Sequence, residues 1–248
     1  MDVGADNTLL AMLPAAPRAA LQPHLSRVSL VQRQILWNGQ QPITDVLFPV
    51  TALVAIIGQA GKGEDVEVAA VGRNGLVGLP AFLGDSQAAQ AAVVQLPGEA
   101  DRMSAAAFRE VALHQPELRR IIHRFIQAFF TEAAQTAVCN CHHHAERRLA
   151  RWLLTSQDRS GRAEFPVTHE FISQMLGMRR ATVTGELGKL QTAGLIRATP
   201  GRVVLLDRGG LERLACECYR IIAGEYRRLL GGAETPVTQR VQPPPSAL

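Results

Sequence analysis

The chain has 248 residues, 47% hydrophobic and 19% charged, with a formal net charge of +4. That length holds one large or two modest domains with real cores, and the composition excludes a disordered or collagen-like chain. No apolar run approaches the roughly 20 residues needed to span a bilayer. The acidic start MDVGADNTLL lacks the basic-then-apolar order of a secretory signal. Its four cysteines all follow position 138 and do not resemble a secreted disulfide framework. We therefore expect a cytoplasmic protein with reduced thiols and no membrane partner.

Residues 8–25 read as an Ala- and Leu-rich helical lead. From Val28 to about Met103 the chain turns to short β-like runs, among them Val46–Phe48, Ala52–Ile57, Val66–Val71 and Ala91–Leu96. Gly and Pro residues such as Gly39, Pro49, Gly58, Gly72 and Gly84 separate them, which predicts a sandwich or closed barrel over 1–115. Pro116 suits a first helical turn, and ELRRIIHRFIQAFFTEAAQTAV then runs about six turns without a breaker. Leu118, Ile122, Phe125 and Phe129 form a 4-3-4 seam that can pack on the barrel or pair with a second copy. We assign 116–144 as a dimerisation helix ending in a hinge at Cys139–His144. A helix from Ala145 to Thr155 opens the second domain, 145–230, and Leu211–Leu230 is a further amphipathic helix. The tail 231–248, with Pro236 and Pro243–Pro245, is expected to be disordered.

The densest signal is Thr168–Leu206. Ile172 and Leu176 mark one short helix, and Val183, Leu187 and Leu190 mark a second at i, i+4, i+7. Gly177 lies between them, where a sharp turn tolerates only a residue at ease with positive φ. Gly194 supplies a C-terminal cap. Thr199-Pro200-Gly201-Arg202 has the order of a type II turn before the strand Val203–Leu206. Two short helices followed by a tight hairpin make a winged helix-turn-helix, whose second helix enters the DNA major groove. Charge agrees: residues 1–115 carry 7 basic and 10 acidic side chains, whereas 145–230 carry 15 basic and 9 acidic.

A β-rich domain, a long helix and this C-terminal unit together resemble the Crp/Fnr family of bacterial transcriptional regulators. The likeness covers about residues 8–230 and is most specific in ISQMLGMRRATVTGELGKLQTAGLI with its hairpin, and in VGRNGLVGLPAFLG. It implies an α+β chain: a jelly-roll sensor-like barrel, a dimerisation helix, and a recognition helix at about 179–192 reading a two-fold symmetric site. It also implies that an effector in the barrel reorients the DNA-binding domains, and that an activator would contact RNA polymerase. Members that bind cyclic AMP carry Gly-Glu and then Arg followed by Ser or Thr. Here Leu76 follows Gly75 in the Gly75-x-x-Gly78 frame, and Gln87–Val94 has no Arg to grip the phosphate. The oxygen-sensing members' N-terminal cysteines are also missing. An effector, if used, is an unidentified small molecule, and no cofactor is assigned.

Inward placement of Val183, Leu187 and Leu190 turns Ala181, Gly185 and Gly188 outward, flanked by Thr182 and Lys189. Arg179 and Arg180 sit at the helix N-terminus, which meets base edges. By resemblance Arg180 holds a base-reading position, while two further such positions, Glu and Arg in the family, are Ala181 and Gly185. Thr168, Thr182, Thr184, Lys189 and Arg202 are candidate phosphate contacts.

Cys139-Asn140-Cys141-His142-His143-His144 contains metal-ligand residue types, with further thiols at Cys216 and Cys218. Its spacing matches no paired C-x-x-C pattern, so we treat the segment as an exposed polar hinge with incidental thiols and assign no metal ligand. A redox- or metal-responsive regulator acting through it is the alternative. A cupin-like metalloenzyme is remote: none of the seven histidines lies within 28–103, and no catalytic signature is present. The chain is expected not to be an enzyme.

Overall fold

The computed structural model describes residues 4, 6–59, 65–84 and 87–231. The expected disorder of 231–248 falls outside these residues apart from Gly231. The lead is broken into α1 (Thr8–Ala11), α2 (Ala15–Leu21) and a 3-10 turn (Gln22–His24). Pro14, at the N-cap of α2, cannot donate an amide to continue α1. Asn7 caps α1 by accepting from Leu10 N at 3.1 Å. Its buried Nδ2 donates to the carbonyls of Pro49 and Gly75 at 2.8 and 3.0 Å, tying the lead to the barrel.

The strands are β1 (Ser26–Leu30), β2 (Ile35–Trp37), β3 (Asp45–Pro49), β4 (Leu53–Gly58), β5 (Val66–Val71), β6 (Ala91–Leu96) and β7 (Gly98–Ser104). Helix α3 (Leu79–Leu83) lies between β5 and β6. They form two antiparallel sheets, ordered β1-β7-β3 and β2-β6-β4-β5. β4 is apolar on both faces because both are covered. Val54 and Ile56 point into the barrel, while Leu53, Ala55 and Ile57 join a second core under the C-terminal half.

Two helices follow, α4 (Ala105–His114), capped by Ser104 Oγ at 3.2 Å from Ala107 N, and α5 (Pro116–His142). The sequence reading gave α4 no helix of its own. α5 also corrects the expected seam. Leu118, Ile122 and Phe125 are buried in the chain's own barrel core and Phe129 packs against it, so the first three are not available for pairing. Gly75 allows this approach: a Cβ there would lie 2.4 Å from the Phe125 ring.

The second half comprises α6 (Ala145–Ser160), β8 (Glu164–Phe165), α7 (His169–Leu176), α8 (Arg180–Thr192), β9 (Ile196–Thr199), β10 (Arg202–Leu205), α9 (Arg208–Leu214) and α10 (Glu217–Leu230). The hinge is shorter than expected, because α5 stays helical to His142 and only His143–His144 are extended. The single helix expected over Leu211–Leu230 is two. Ala215 and Cys216 take ψ of 150° and 163°, which breaks the helix and folds α10 back along α5. Ile222, Tyr226, Leu229 and Leu230 thereby enter the barrel core.

The halves also meet through buried polar groups. Glu132 on α5 accepts from Ala70 N of β5 at 3.1 Å, Arg159 Nη2 of α6 at 2.7 Å and the Tyr226 hydroxyl of α10 at 2.8 Å. Trp152 Nε1 donates to Glu67 at 3.0 Å, and Gln95 Nε2 donates to Ser156 Oγ at 3.0 Å. Burial pushes the Glu67 carboxyl up to about 7, with the Trp152 bond opposing the shift. Among the described residues, no helix is long and apolar enough to cross a membrane.

Candidate nucleic-acid interface

The helix-turn-helix is built as its residue pattern dictates. Thr168 caps α7, its hydroxyl accepting from Phe171 N at 3.1 Å. Gly177 ends α7 at φ +56°, a conformation other residues adopt at a cost. Arg179 then occupies the N-cap position of α8, whose Val183, Leu187 and Leu190 are buried with Ile172, Leu176 and Trp152. The opposite face is open: Arg180, Ala181, Thr182, Thr184, Gly185, Gly188 and Lys189 are all exposed.

The wing is the β9–β10 hairpin, with Thr199 paired to Arg202 and Gly201 at φ +74°, as a type II turn requires. β8 adds a third strand that the sequence reading did not identify. Gln191 Oε1 accepts from Ala198 N at 2.7 Å, which fixes the wing against α8.

Electrostatics favour an anion at the start of α8. Its first turn has no acidic residue, and Arg179 and Arg180 add charge to the positive end of the helix dipole. Arg180 is 3.9 Å from Glu170 and Lys189 is 3.0 Å from Glu186, which holds the ammonium above its ordinary range. Arg202 pairs with Glu164 at 2.8 Å. The Arg180 and Arg202 pairs are exposed ones of the weak kind that a phosphate displaces, whereas the Glu186 side chain is only 14% exposed.

Two candidates are engaged elsewhere. Thr168 Oγ1, besides capping, accepts from Arg33 of the barrel at 3.2 Å, and Thr184 Oγ1 is 2.9 Å from His169 Nδ1. Both are exposed, and both position the α7–α8 pair. Sequence reasoning missed Arg33, which also lies over the Phe171 ring at 5.6 Å, and Gln191. Arg33 acts across more than 130 positions, so no local pattern could disclose it.

The hinge cluster is rearranged relative to expectation. Cys141, His142 and His144 are exposed, but Cys139, Cys216 and Cys218 are buried and not incidental surface thiols. Cys139 Sγ is 3.5 Å from Cys216 Sγ, and His143 Nδ1 is 3.5 Å from Cys218 Sγ. A hydrogen bond from Cys216 and the charge of Arg151 pull the Cys139 thiol down, while Cys216 is pushed up.

Comparisons with known proteins agree with this geometry. Residues 147–214 match the Crp-like helix-turn-helix domain family. No curated protein matches the sequence. Among solved structures, the chain is similar to FixK2 from Bradyrhizobium japonicum, at 18% identity and TM-score 0.65, over 77% of this chain and 98% of that one. It is also similar to a Crp/Fnr-family regulator from Eubacterium rectale, at 18% identity and TM-score 0.63, over 83% and 96%. A third likeness is the c-di-GMP-responsive global regulator CLP of Xanthomonas campestris, at 16% identity and TM-score 0.62, over 77% and 99%. At such identities the structures speak for the fold, and the domain match speaks for the DNA-binding half. Residues 147–214 are thus a Crp-like helix-turn-helix domain, and the chain as a whole shares the fold of solved Crp/Fnr-type structures.

Proposed function

We propose that the protein is a homodimeric, sequence-specific DNA-binding regulator that reads a two-fold symmetric site through α8. The observation that carries this reading is the open, acid-free N-terminal face of α8, held on a buried apolar face and flanked by the wing. Arg179 and Arg180 reach for base edges, and Thr182, Lys189 and Arg202 for phosphates.

The dimer uses a different stripe of α5 from the one the sequence suggested. His123, Gln127, Phe130, Ala134, Ala137 and Cys141 recur at 4-3-4-3-4 spacing, and all are exposed. Phe130 is 73% exposed and Val138 beside the stripe is 46% exposed, an arrangement that a second copy of the helix would cover. In the barrel, Leu76 is 1% exposed in the core, so the position offers no carboxylate to a nucleotide ribose. An effector would be held by other groups.

The test is selection of genomic fragments by purified protein at about physiological salt, where non-specific binding is weak. A two-fold motif with half-sites about one helical turn apart is expected. Substitution Phe130→Asp should yield a monomer by light scattering and abolish the paired footprint. No enrichment, or a Phe130→Asp protein that stays dimeric, overturns the corresponding half of the reading.

A further inference from the structure

We propose that Cys139, His143, Cys216 and Cys218 form a Cys3His site for one zinc(II) ion, which clamps the start of α10 to the end of α5. The four ligand atoms all lie within 4.8 Å of one another. A tetrahedral zinc with S ligands at about 2.3 Å and N at about 2.1 Å requires edges of roughly 3.5–3.8 Å. Two of the approaches, Cys139 Sγ to Cys216 Sγ and His143 Nδ1 to Cys218 Sγ, are both 3.5 Å and already have that length.

Each ligand is brought there for a local reason. Cys139 lies in the last turn of α5, and His143 is its C-cap, whose amide still donates to the Cys139 carbonyl at 3.1 Å and so keeps the two residues together. On an uninterrupted helix Cys216 and Cys218 would diverge. The extended Cys216 at the N-cap of α10 instead lets both thiols turn toward α5. Cys141, two residues from Cys139, points to solvent and takes no part.

The surroundings suit a metal better than free thiols. His143 Nε2 lies 3.1 Å from Glu217 Oε1, which fixes the tautomer with Nδ1 facing the sulfurs, as in carboxylate–histidine–zinc arrangements. Gln135 Nε2 donates to Cys218 Sγ at 3.2 Å, a bond that a thiolate accepts well. Three thiolates and one zinc(II) leave a charge of −1. The buried Arg151 guanidinium beside Cys139 and the N-terminus of α10 offset that charge. Three buried cysteines form a small cluster of their own, apart from both apolar cores.

The full chain, purified without a histidine tag under reducing conditions, should contain about one zinc per chain by elemental analysis. Cys218→Ser should fall below about a tenth of an equivalent, whereas Cys141→Ser should retain the metal. Should Cys218→Ser fail to fold, the wild-type protein stripped with a chelator and refilled with cobalt(II) gives an independent answer. Intense visible bands with thiolate-to-cobalt charge transfer, saturating at about one equivalent, mark a tetrahedral thiolate site. The bound metal should also shield Cys139, Cys216 and Cys218 from alkylation, and stripping it with a chelator should make them reactive. A weak octahedral cobalt spectrum, a Cys139–Cys216 disulfide in the protein as isolated, or iron as the bound metal overturns the assignment. DNA binding enters none of these readouts, so the site and the regulator reading stand or fall separately.

Discussion

Glu132 joins three elements across the two halves of the molecule, and its removal should be expensive. The carboxylate is 2% exposed and accepts from the barrel, α6 and α10 at once. In Glu132→Ala, Arg159, 3% exposed, keeps its charge without a carboxylate, and the Tyr226 hydroxyl and Ala70 amide lose their acceptor. Breaking a buried pair by removing one partner costs about 3–5 kcal/mol. For a chain of this size that corresponds to a melting-temperature drop of roughly 6–20 °C by calorimetry. The pair itself is not the source of stability. Arg159 Nη1 already lacks a partner, so the ion pair is incompletely satisfied. The triple variant Glu132→Met, Arg159→Met, Tyr226→Phe should therefore recover most of the loss. A single variant that loses less than about 1 kcal/mol, the worth of an ordinary hydrogen bond, refutes the reasoning. So does a triple variant that melts no higher than the single one.

Arg180→Ala should cost about 1–3 kcal/mol of discrimination at one base position, read by competition with point-mutated sites. Lys189→Ala should weaken all sequences alike and reduce the salt slope by about 1; identical specificity profiles for the two variants would contradict the docking of α8. Among the described residues, and apart from the helix's own backbone and the chain neighbours, nothing lies within 4 Å of a Cβ added at Gly185 or Gly188, so each Gly→Ala change should stabilise the free protein by about 0.5–1 kcal/mol. Gly185→Ala should at the same time lose at least tenfold in affinity for the selected site; retained affinity rules out close backbone approach to the groove. The Glu67 carboxyl titrates at about 7 in the folded protein against 4.5 ordinarily, so between these values the folded state holds a proton that the unfolded chain has released. Its contribution to stability is full below pH 4.5 and is lost as pH rises through 7, by an amount on the order of 3 kcal/mol. Urea melts of Glu67→Gln should be flatter across that window than wild type, and parallel pH profiles would defeat this account.

The local features of this fold were legible from residue order alone. Gly177, Gly194 and Pro200-Gly201 mark a turn, a helix end and a hairpin because backbone sterics act within three or four residues. The apolar runs of β4, β5 and β6 were visible for the same reason, and so was the inward stripe Val183, Leu187, Leu190 on α8. Periodicity states that a face is apolar but not what will cover it. Only the tertiary structure decided that Leu118, Ile122 and Phe125 pack inward, leaving Phe130 and its neighbours as the open stripe. It also decided that the outer face of β4 lies under α6, and that the chain breaks at Ala215–Cys216. That break brings Cys216 and Cys218 to Cys139 and His143, about 75 positions away in sequence. Such a meeting depends on how two helices pack, and pairing across that distance leaves no trace in local spacing.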